Sequence, residues 1–471
     1  MKHSKGMSAL VTCAALAWAV TARADGGVRL PPFERTALAN GAEVVIIEKR
    51  DTPLVAMTVI VRGGALGDPQ GKDGTASLLA DLIQKGAGKR DAAQFAEAIE
   101  SVGGTLSAAA GTEYLQLSAS FLARDLGLMV ELVADALQRP ALKPEEFAKA
   151  RTLAIQSITA AKDSDPRALI SSYGDAWLFR GHPYGRPVGG SESSLAAVSL
   201  DDIKRYYADQ AGGDRLIIAV VGDVDAATIR HQLDQAFGSW RKAGKPMPAA
   251  PAPTRLAGRH VLLVDKPDAT QTYFWLGSVG ASRTDPARTQ QSVVNTAFGG
   301  RFTSMLNTEL RINSGLTYGA GATFDRGLQP GAFSISSYTQ TASTTQAVDL
   351  ALATLERLRR DGLDAETLAS SRNYMLGQFP PTLETNGQLA SRLADLMFYG
   401  LGRDDVDEYA ARVASVDPAA VRSVINQSFP APADLAIVLI GNAASIRDEV
   451  KKYGPVTEMK ITDPQFAPPD R

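Results

Sequence analysis

The 471-residue chain repeats itself. Val44-Val45-Ile46-Ile47-Glu48-Lys49-Arg50-Asp51 lines up with Val261-Leu262-Leu263-Val264-Asp265-Lys266-Pro267-Asp268 at an offset of 217, and the same ungapped register pairs Gly63 with Gly280 and Asp68-Pro69 with Asp285-Pro286. Near the end of each half, Ile217-Ile218-Ala219-Val220-Val221-Gly222-Asp223 resembles Ala436-Ile437-Val438-Leu439-Ile440-Gly441-Asn442, now offset by 219. Two insertions in over 200 residues mark a duplication. At about 150 residues per domain the length allows three units or two large ones; the repeat selects two.

A Pro/Ala-rich segment, Lys245-Pro246-Met247-Pro248-Ala249-Ala250-Pro251-Ala252-Pro253, has no apolar periodicity and reads as a semi-rigid connector. The expected units are 25–241 and 258–471, joined by 242–257. Residues 1–24 are set apart: Lys2 and Lys5 precede an apolar stretch from Met7 to Val20 and then Ala22-Arg23-Ala24, the pattern of a cleaved secretory signal peptide. The expected location is therefore exported, periplasmic or secreted. No other apolar run approaches the roughly 20 residues that span a bilayer, so no stable membrane anchor is expected.

Cys13, the only cysteine, lies in the signal segment. Its removal excludes thiol catalysis, zinc ribbons and disulfide frameworks together. The 49 basic and 51 acidic residues form no long run of either sign, which gives no footprint for nucleic acid.

In each half, paired strand patterns precede runs of helical pattern. Strands at about 42–49 and 54–62 lead to helices near 73–86 and 91–102, strands near 104–121, helices from 124 to 208 and a strand at 215–221. The second half has strands at 260–278, helices at 286–314, strands at 316–339, helices from 345 to 428 and a strand at 434–440. This order predicts α+β units, each a mainly antiparallel sheet with helices packed on one face, the two enclosing a cleft.

Arg62-Gly63-Gly64-Ala65-Leu66-Gly67-Asp68, followed by Gly74-Thr75-Ala76-Ser77-Leu78-Leu79-Ala80-Asp81-Leu82-Ile83-Gln84-Lys85-Gly86, resembles the pitrilysin/insulinase zinc metallopeptidase family, in its mitochondrial processing peptidase-like subclass. The resemblance runs the whole mature length, through His182-Pro183-Tyr184-Gly185-Arg186-Pro187-Val188-Gly189, Val221-Gly222-Asp223-Val224 and the Arg311-to-Tyr318 segment. It implies two homologous α+β domains, zinc and proteolysis. The family's metal element is an inverted His-x-x-Glu-His motif with a further Glu ligand downstream. The matching positions here are Ser77, Ala80, Asp81 and Ser157, and an auxiliary family Glu falls at Ala150. A catalytic zinc needs three protein ligands and a base for its water; one stray carboxylate supplies neither. At 100° per residue, Leu78, Leu79, Leu82 and Ile83 share one helix face and Ser77, Ala80 and Asp81 the opposite one. The helix should still pack while presenting an inert face, and no metal is expected in this chain.

The segment Phe298-Gly299-Gly300-Arg301-Phe302-Thr303-Ser304-Met305-Leu306-Asn307-Thr308-Glu309-Leu310-Arg311-Ile312-Asn313-Ser314-Gly315-Leu316-Thr317-Tyr318 reads as a loop, a helix ended by Gly315 and a strand. It resembles the family pattern in which an Arg at the helix end and a Tyr at the strand start bind substrate opposite the zinc; here these are Arg311 and Tyr318. An arginine fork and a phenol suit a peptide carbonyl or the oxyanion formed from it. The bland reading of Arg311 is a residue complementing a helix dipole. His182 reads as a structural turn residue, Gly299-Gly300 as a tight loop, and Leu389, Leu393, Leu396 and Met397 as core.

The expected function is a non-catalytic subunit of an exported heterodimeric zinc peptidase. It would lend Arg311 and Tyr318 to a homologous partner that carries the zinc, with extended peptides as substrates. The alternative is a peptide-binding or scaffold protein on the same fold with no catalytic role.

Overall fold

A computed structural model describes residues 27–468. The expected signal segment lies outside the described residues. The first half contributes β1 (Glu34–Ala37), β2 (Glu43–Glu48), β3 (Leu54–Arg62), β4 (Thr105–Ala110), β5 (Tyr114–Leu122) and β6 (Leu216–Gly222), arranged β1-β2-β6-β3-β5-β4. The second contributes β7 (His260–Asp265), β8 (Gln271–Val279), β9 (Ala320–Arg326), β10 (Pro330–Gln340), β11 (Ala436–Gly441) and β12 (Val456–Lys460), arranged β12-β7-β11-β8-β10-β9. Removing one edge strand from each leaves the same five-strand order. The repeat extends to register: Val44 pairs with Ile218 in a parallel ladder, and Val261 pairs with Ile437 in its counterpart. The parallel pairs β2/β6, β7/β11 and β7/β12 make both sheets mixed, while the remaining ladders are antiparallel.

Helices cover both faces of each sheet, not one. On β2, β3 and β6 the side chains of Val44, Ile46, Met57, Val59, Ile218 and Val220 enter one core, and those of Val45, Ile47, Ala56, Ile60, Ala219 and Val221 enter another. The first core is closed by helices of its own half, among them Thr75–Leu82 and Leu126–Gln138. The second is closed by helix Asn386–Phe398 of the other half, through Leu389, Ala390, Leu393, Ala394 and Met397. Asn386 donates its amide to the Leu54 carbonyl at 3.0 Å, fixing the start of that helix on β3.

The arrangement is reciprocal. Helix Ile170–Leu178 of the first half lies on the second sheet, packing Tyr173, Ala176 and Trp177 against Leu262, Val264, Trp275 and Val438. Trp177 Nε1 donates to the His260 carbonyl at 3.0 Å. Gly174 makes the close approach: a Cβ there would stand 2.5 Å from the Trp275 ring, itself 1% exposed. Each fully buried Val, Leu or Ile contributes roughly 1.5–3 kcal/mol, so the exchanged helices belong to the stability of the opposite half.

Residues 242–257 hold no helix or strand. Arg215 Nη2 donates to the Lys245 carbonyl at 2.6 Å, and His182 Nε2 lies 2.9 Å from the Pro251 carbonyl. The helices expected over 286–314 are Arg288–Phe298, then Met305–Asn307 running into a π-helical turn Thr308–Asn313, and the next strand, expected from 316, begins at Ala320. Among the described residues no helix is long and apolar enough to cross a membrane.

Candidate functional site

Helix Thr75–Leu82 carries three of the four positions that align with the metal motif. Its N-terminal amides at Gly74 and Ala76 donate to the carboxylate of Asp68 at 2.9 and 2.8 Å, a stabilising arrangement for orphan donors and the helix dipole. Burial pushes the Asp68 carboxyl up to about 7, against the pull of those two amides. Leu78, Leu79, Leu82 and Ile83 are buried, as the helical spacing requires. The opposite face is less open than that spacing implied. Asp81 is exposed and Ser77 half-buried, but Ala80 is only 1% exposed. Strand β4 explains this: the helix packs on it, and Gln84 Nε2 bridges the Ala80 carbonyl at 2.8 Å and the Ala108 carbonyl at 3.1 Å.

Ser157 lies exposed on helix Pro144–Asp163, which packs against the motif helix. The donor set does not fit zinc. Two hydroxyls, a methyl and one carboxylate cannot make three ligands, and the Asp81 carboxyl is raised above its ordinary range by the surrounding protein, with only Lys85 opposing. Among the described residues no group of three or more His, Cys, Asp or Glu is placed to hold a metal ion.

Arg311 and Tyr318 sit on opposite sides of a rigidly held turn. Arg311 is on the π-helical segment, where Ser314 N bonds back five residues to the Glu309 carbonyl, and Gly315 at φ +64° ends it. Such turns are rare and are frequent at functional sites. The Arg311 guanidinium lies 4.7 Å from the Phe302 ring centroid and donates from Nη1 to the Tyr318 carbonyl at 2.9 Å. Its remaining donors have no acceptor among the described residues.

Tyr318 precedes β9 by two residues and is not on the strand. Its neighbours are anchored: the Gly319 carbonyl accepts from Ser337 Oγ at 2.9 Å, and the Leu316 carbonyl accepts from Thr339 Oγ1 at 2.8 Å. The Tyr318 side chain itself is 77% exposed, and its hydroxyl has no partner among the described residues. The phenol is thus solvent-exposed on a backbone that neighbouring side chains hold. No hydrogen bond or ion pair among the described residues links this turn to Ser77, Asp81 or Ser157.

His182 is structural. It caps the short turn Pro183–Gly185 by accepting from Tyr184 N at 3.1 Å. Tyr184 belongs to a junction that the sequence reading missed. Glu113, 6% exposed between β4 and β5, accepts from the Tyr184 hydroxyl and from Leu328 N at 2.8 and 3.0 Å, and Gln329 N donates to the same hydroxyl at 2.9 Å. The two halves are thus tied through the β9–β10 hairpin. A cavity of about 280 Å³ adjoins the tie, lined by Asp175, Asp325 and Tyr399 among others. Burial, with Asp325 nearby, pushes the Asp175 carboxyl up to about 7. No single sequence motif contains these residues; only the hairpin brings them together.

Two family models match in tandem: residues 43–192 match the one described as Insulinase (Peptidase family M16), and residues 197–375 the one described as Peptidase M16 inactive domain. An uncharacterized zinc protease of Streptomyces coelicolor is 27% identical over 396 residues, 83% of this chain and 86% of that protein. One of Mycobacterium tuberculosis is 29% identical over 372 residues, 79% and 84% of the respective chains. Among solved structures, a peptidase M16 inactive domain from Pseudomonas fluorescens superposes with a TM-score of 0.81 at 20% identity, over 87% of this chain and 98% of that one. A protease from Helicobacter pylori gives a TM-score of 0.79, also at 20% identity, over 87% and 100%.

Proposed function

The chain belongs to the M16 insulinase family, as a homologue of its zinc proteases, and on that premise we propose that it is the non-catalytic subunit of an exported heterodimeric zinc endopeptidase. The carrying observation is the contrast between a motif helix without a ligand set and a pinned turn whose phenol is free. The partner is a homologous chain with an intact His-x-x-Glu-His motif, and it holds the zinc. Tyr318 and the open donors of Arg311 bind a peptide carbonyl and then the oxygen on which charge develops, where donors fixed in advance count most. Extended peptides are the substrates, added to a sheet edge through main-chain hydrogen bonds.

The scaffold alternative draws support from one contact. Arg311 already spends a donor on the Tyr318 carbonyl and stacks on Phe302, which a purely structural clamp would also do. Co-expression with a zinc-bearing homologue distinguishes the readings. A co-purifying pair that cleaves unfolded peptides, with neither chain active alone, is expected; full activity in the zinc-bearing chain alone would leave this chain as a scaffold.

A further inference from the structure

A second pocket lies in the same half of the chain as Arg311 and Tyr318. A pocket of about 400 Å³ is lined by Arg283, Arg288, Arg326, Arg392 and Arg412, with Asp405 the one acidic residue in its wall. The arginines come from separate segments: the loop after β8, helix Arg288–Phe298, the end of β9, helix Asn386–Phe398 and helix Tyr409–Ala414. They are withdrawn from water, with side-chain exposures of 17% for Arg283, 21% for Arg288 and 27% for both Arg392 and Arg412.

Their counter-charges are shared thinly. Asp405 bonds Arg283 at 3.0 Å and Arg288 at 2.6 Å and stands 3.8 Å from Arg412. Asp395 bonds Arg283 at 3.0 Å and is 3.9 Å from Arg392. Glu408, 3.9 Å from Arg412, is 66% exposed and well screened. Arg326 has no carboxylate at ion-pair distance, only Gln291 Oε1 at 3.1 Å. Burial, together with Arg283 and Arg288, pushes the Arg326 guanidinium down to about 10 against the opposing pull of Asp285 and Asp325.

Donors also stand open. The Nε atoms of Arg326 and Arg412 are buried without an acceptor, and Arg392 makes no hydrogen bond among the described residues. Arg412 otherwise donates to the Asp404 and Asp405 carbonyls at 2.6 Å; a buried donor left without an acceptor is costly, and a guanidinium cannot escape by losing its proton near neutral pH.

We propose that this pocket binds a small polyphosphate-type anion. Guanidinium forks match tetrahedral oxyanions by paired N–H donors. At about 30 Å³ per water, 400 Å³ has room for a chain of phosphoryl groups and not only one.

The test is titration calorimetry of the mature full-length chain with sodium tripolyphosphate at low salt, beside orthophosphate and citrate. Saturable one-to-one binding of tripolyphosphate is expected, tighter than orthophosphate and weakened by added salt. Arg392→Gln, which removes no internal hydrogen bond, should weaken binding about ten-fold or more while the melting temperature without ligand stays unchanged or rises. Arg326→Gln should do the same, and if it fails to fold, Arg392→Gln decides alone. No saturable binding to the wild type, wild-type affinity in Arg392→Gln, or citrate binding as tightly as tripolyphosphate would overturn the proposal.

Discussion

Helix Thr75–Leu82 and the turn from Thr308 to Tyr318 are the two segments expected from the sequence to correspond to the parts of one family active site, and they differ in what they expose. The helix buries its leucines and carries its Asp68 cap, while Ala80, expected from the sequence at the base position, is closed over by β4. The turn keeps unusual backbone geometry and an exposed phenol on a pinned main chain. A scaffold can outlive its chemistry when packing and chemistry sit on opposite faces of one helix. Where the same few residues carry both the geometry and the side chains, losing one leaves the other without purpose.

The largest expected effect falls on the turn. In a reconstituted complex, Tyr318→Phe and Arg311→Ala should each lower turnover by about 10² to 10³, equivalent to roughly 2.7–4 kcal/mol for one lost oxyanion donor. Arg311→Ala should also raise KM, because it frees the Tyr318 carbonyl and loosens the loop. The double variant should lose less than the sum if both donors bind one oxygen. Wild-type kcat/KM in both single variants would erase the contrast between the two regions.

Next in size is Gly174→Ala, a control for stability without chemistry. The added methyl meets the Trp275 ring at 2.5 Å, and overpacking of this kind costs about 1–3 kcal/mol. The melting temperature should fall in a single transition, because each half supplies the other's cover, with activity per folded complex unchanged. Two separate transitions would mean that the halves are stable independently.

A smaller effect belongs to the junction between the halves. Asp175 titrates near about 7 when folded, against an ordinary value of 3.8. The folded chain therefore binds this proton more tightly than the unfolded one, and the associated stability is full below pH 3.8 and lost as pH rises through 7. Asp175→Asn mimics the protonated form, so it should raise the melting temperature most at pH 8, clearly less at pH 5, and not at all toward pH 3.8. An equal shift at pH 8 and pH 5 would refute the assignment of the titration to Asp175.

The smallest effect is expected at the motif helix. Asp81→Ala removes the single carboxylate at the metal-motif positions from an exposed site, and surface changes of this kind stay within about ±0.5 kcal/mol. Metal analysis and melting curves should match the wild type. One tightly held zinc per chain, lost on this substitution, would restore the helix to the site.

Much of this was legible in the sequence because the repeat fixed it twice. Val44 and Val261 mark strands that pair alike, and the leucine spacing of the motif helix gave its buried face. The exchanged helices were missed although a signal existed. Runs such as Leu216-Ile217-Ile218-Ala219-Val220-Val221 are apolar at every position, which requires cover on both faces of a sheet. Nothing in local propensity foretells a π-helical turn at Arg311 or a strand that starts after Tyr318; both arise because Thr339, Ser337 and Gly315 hold the loop. The closure of Ala80 depends on β4, a long-range contact that helical spacing cannot contain.

The comparison of the two regions rests most directly on kcat for Tyr318→Phe measured beside Asp81→Ala in the same reconstituted complex, with melting temperatures taken on the same samples. The account predicts turnover about 10² or more below wild type for Tyr318→Phe, wild-type turnover for Asp81→Ala, and unchanged melting for both. Wild-type turnover in Tyr318→Phe would contradict it.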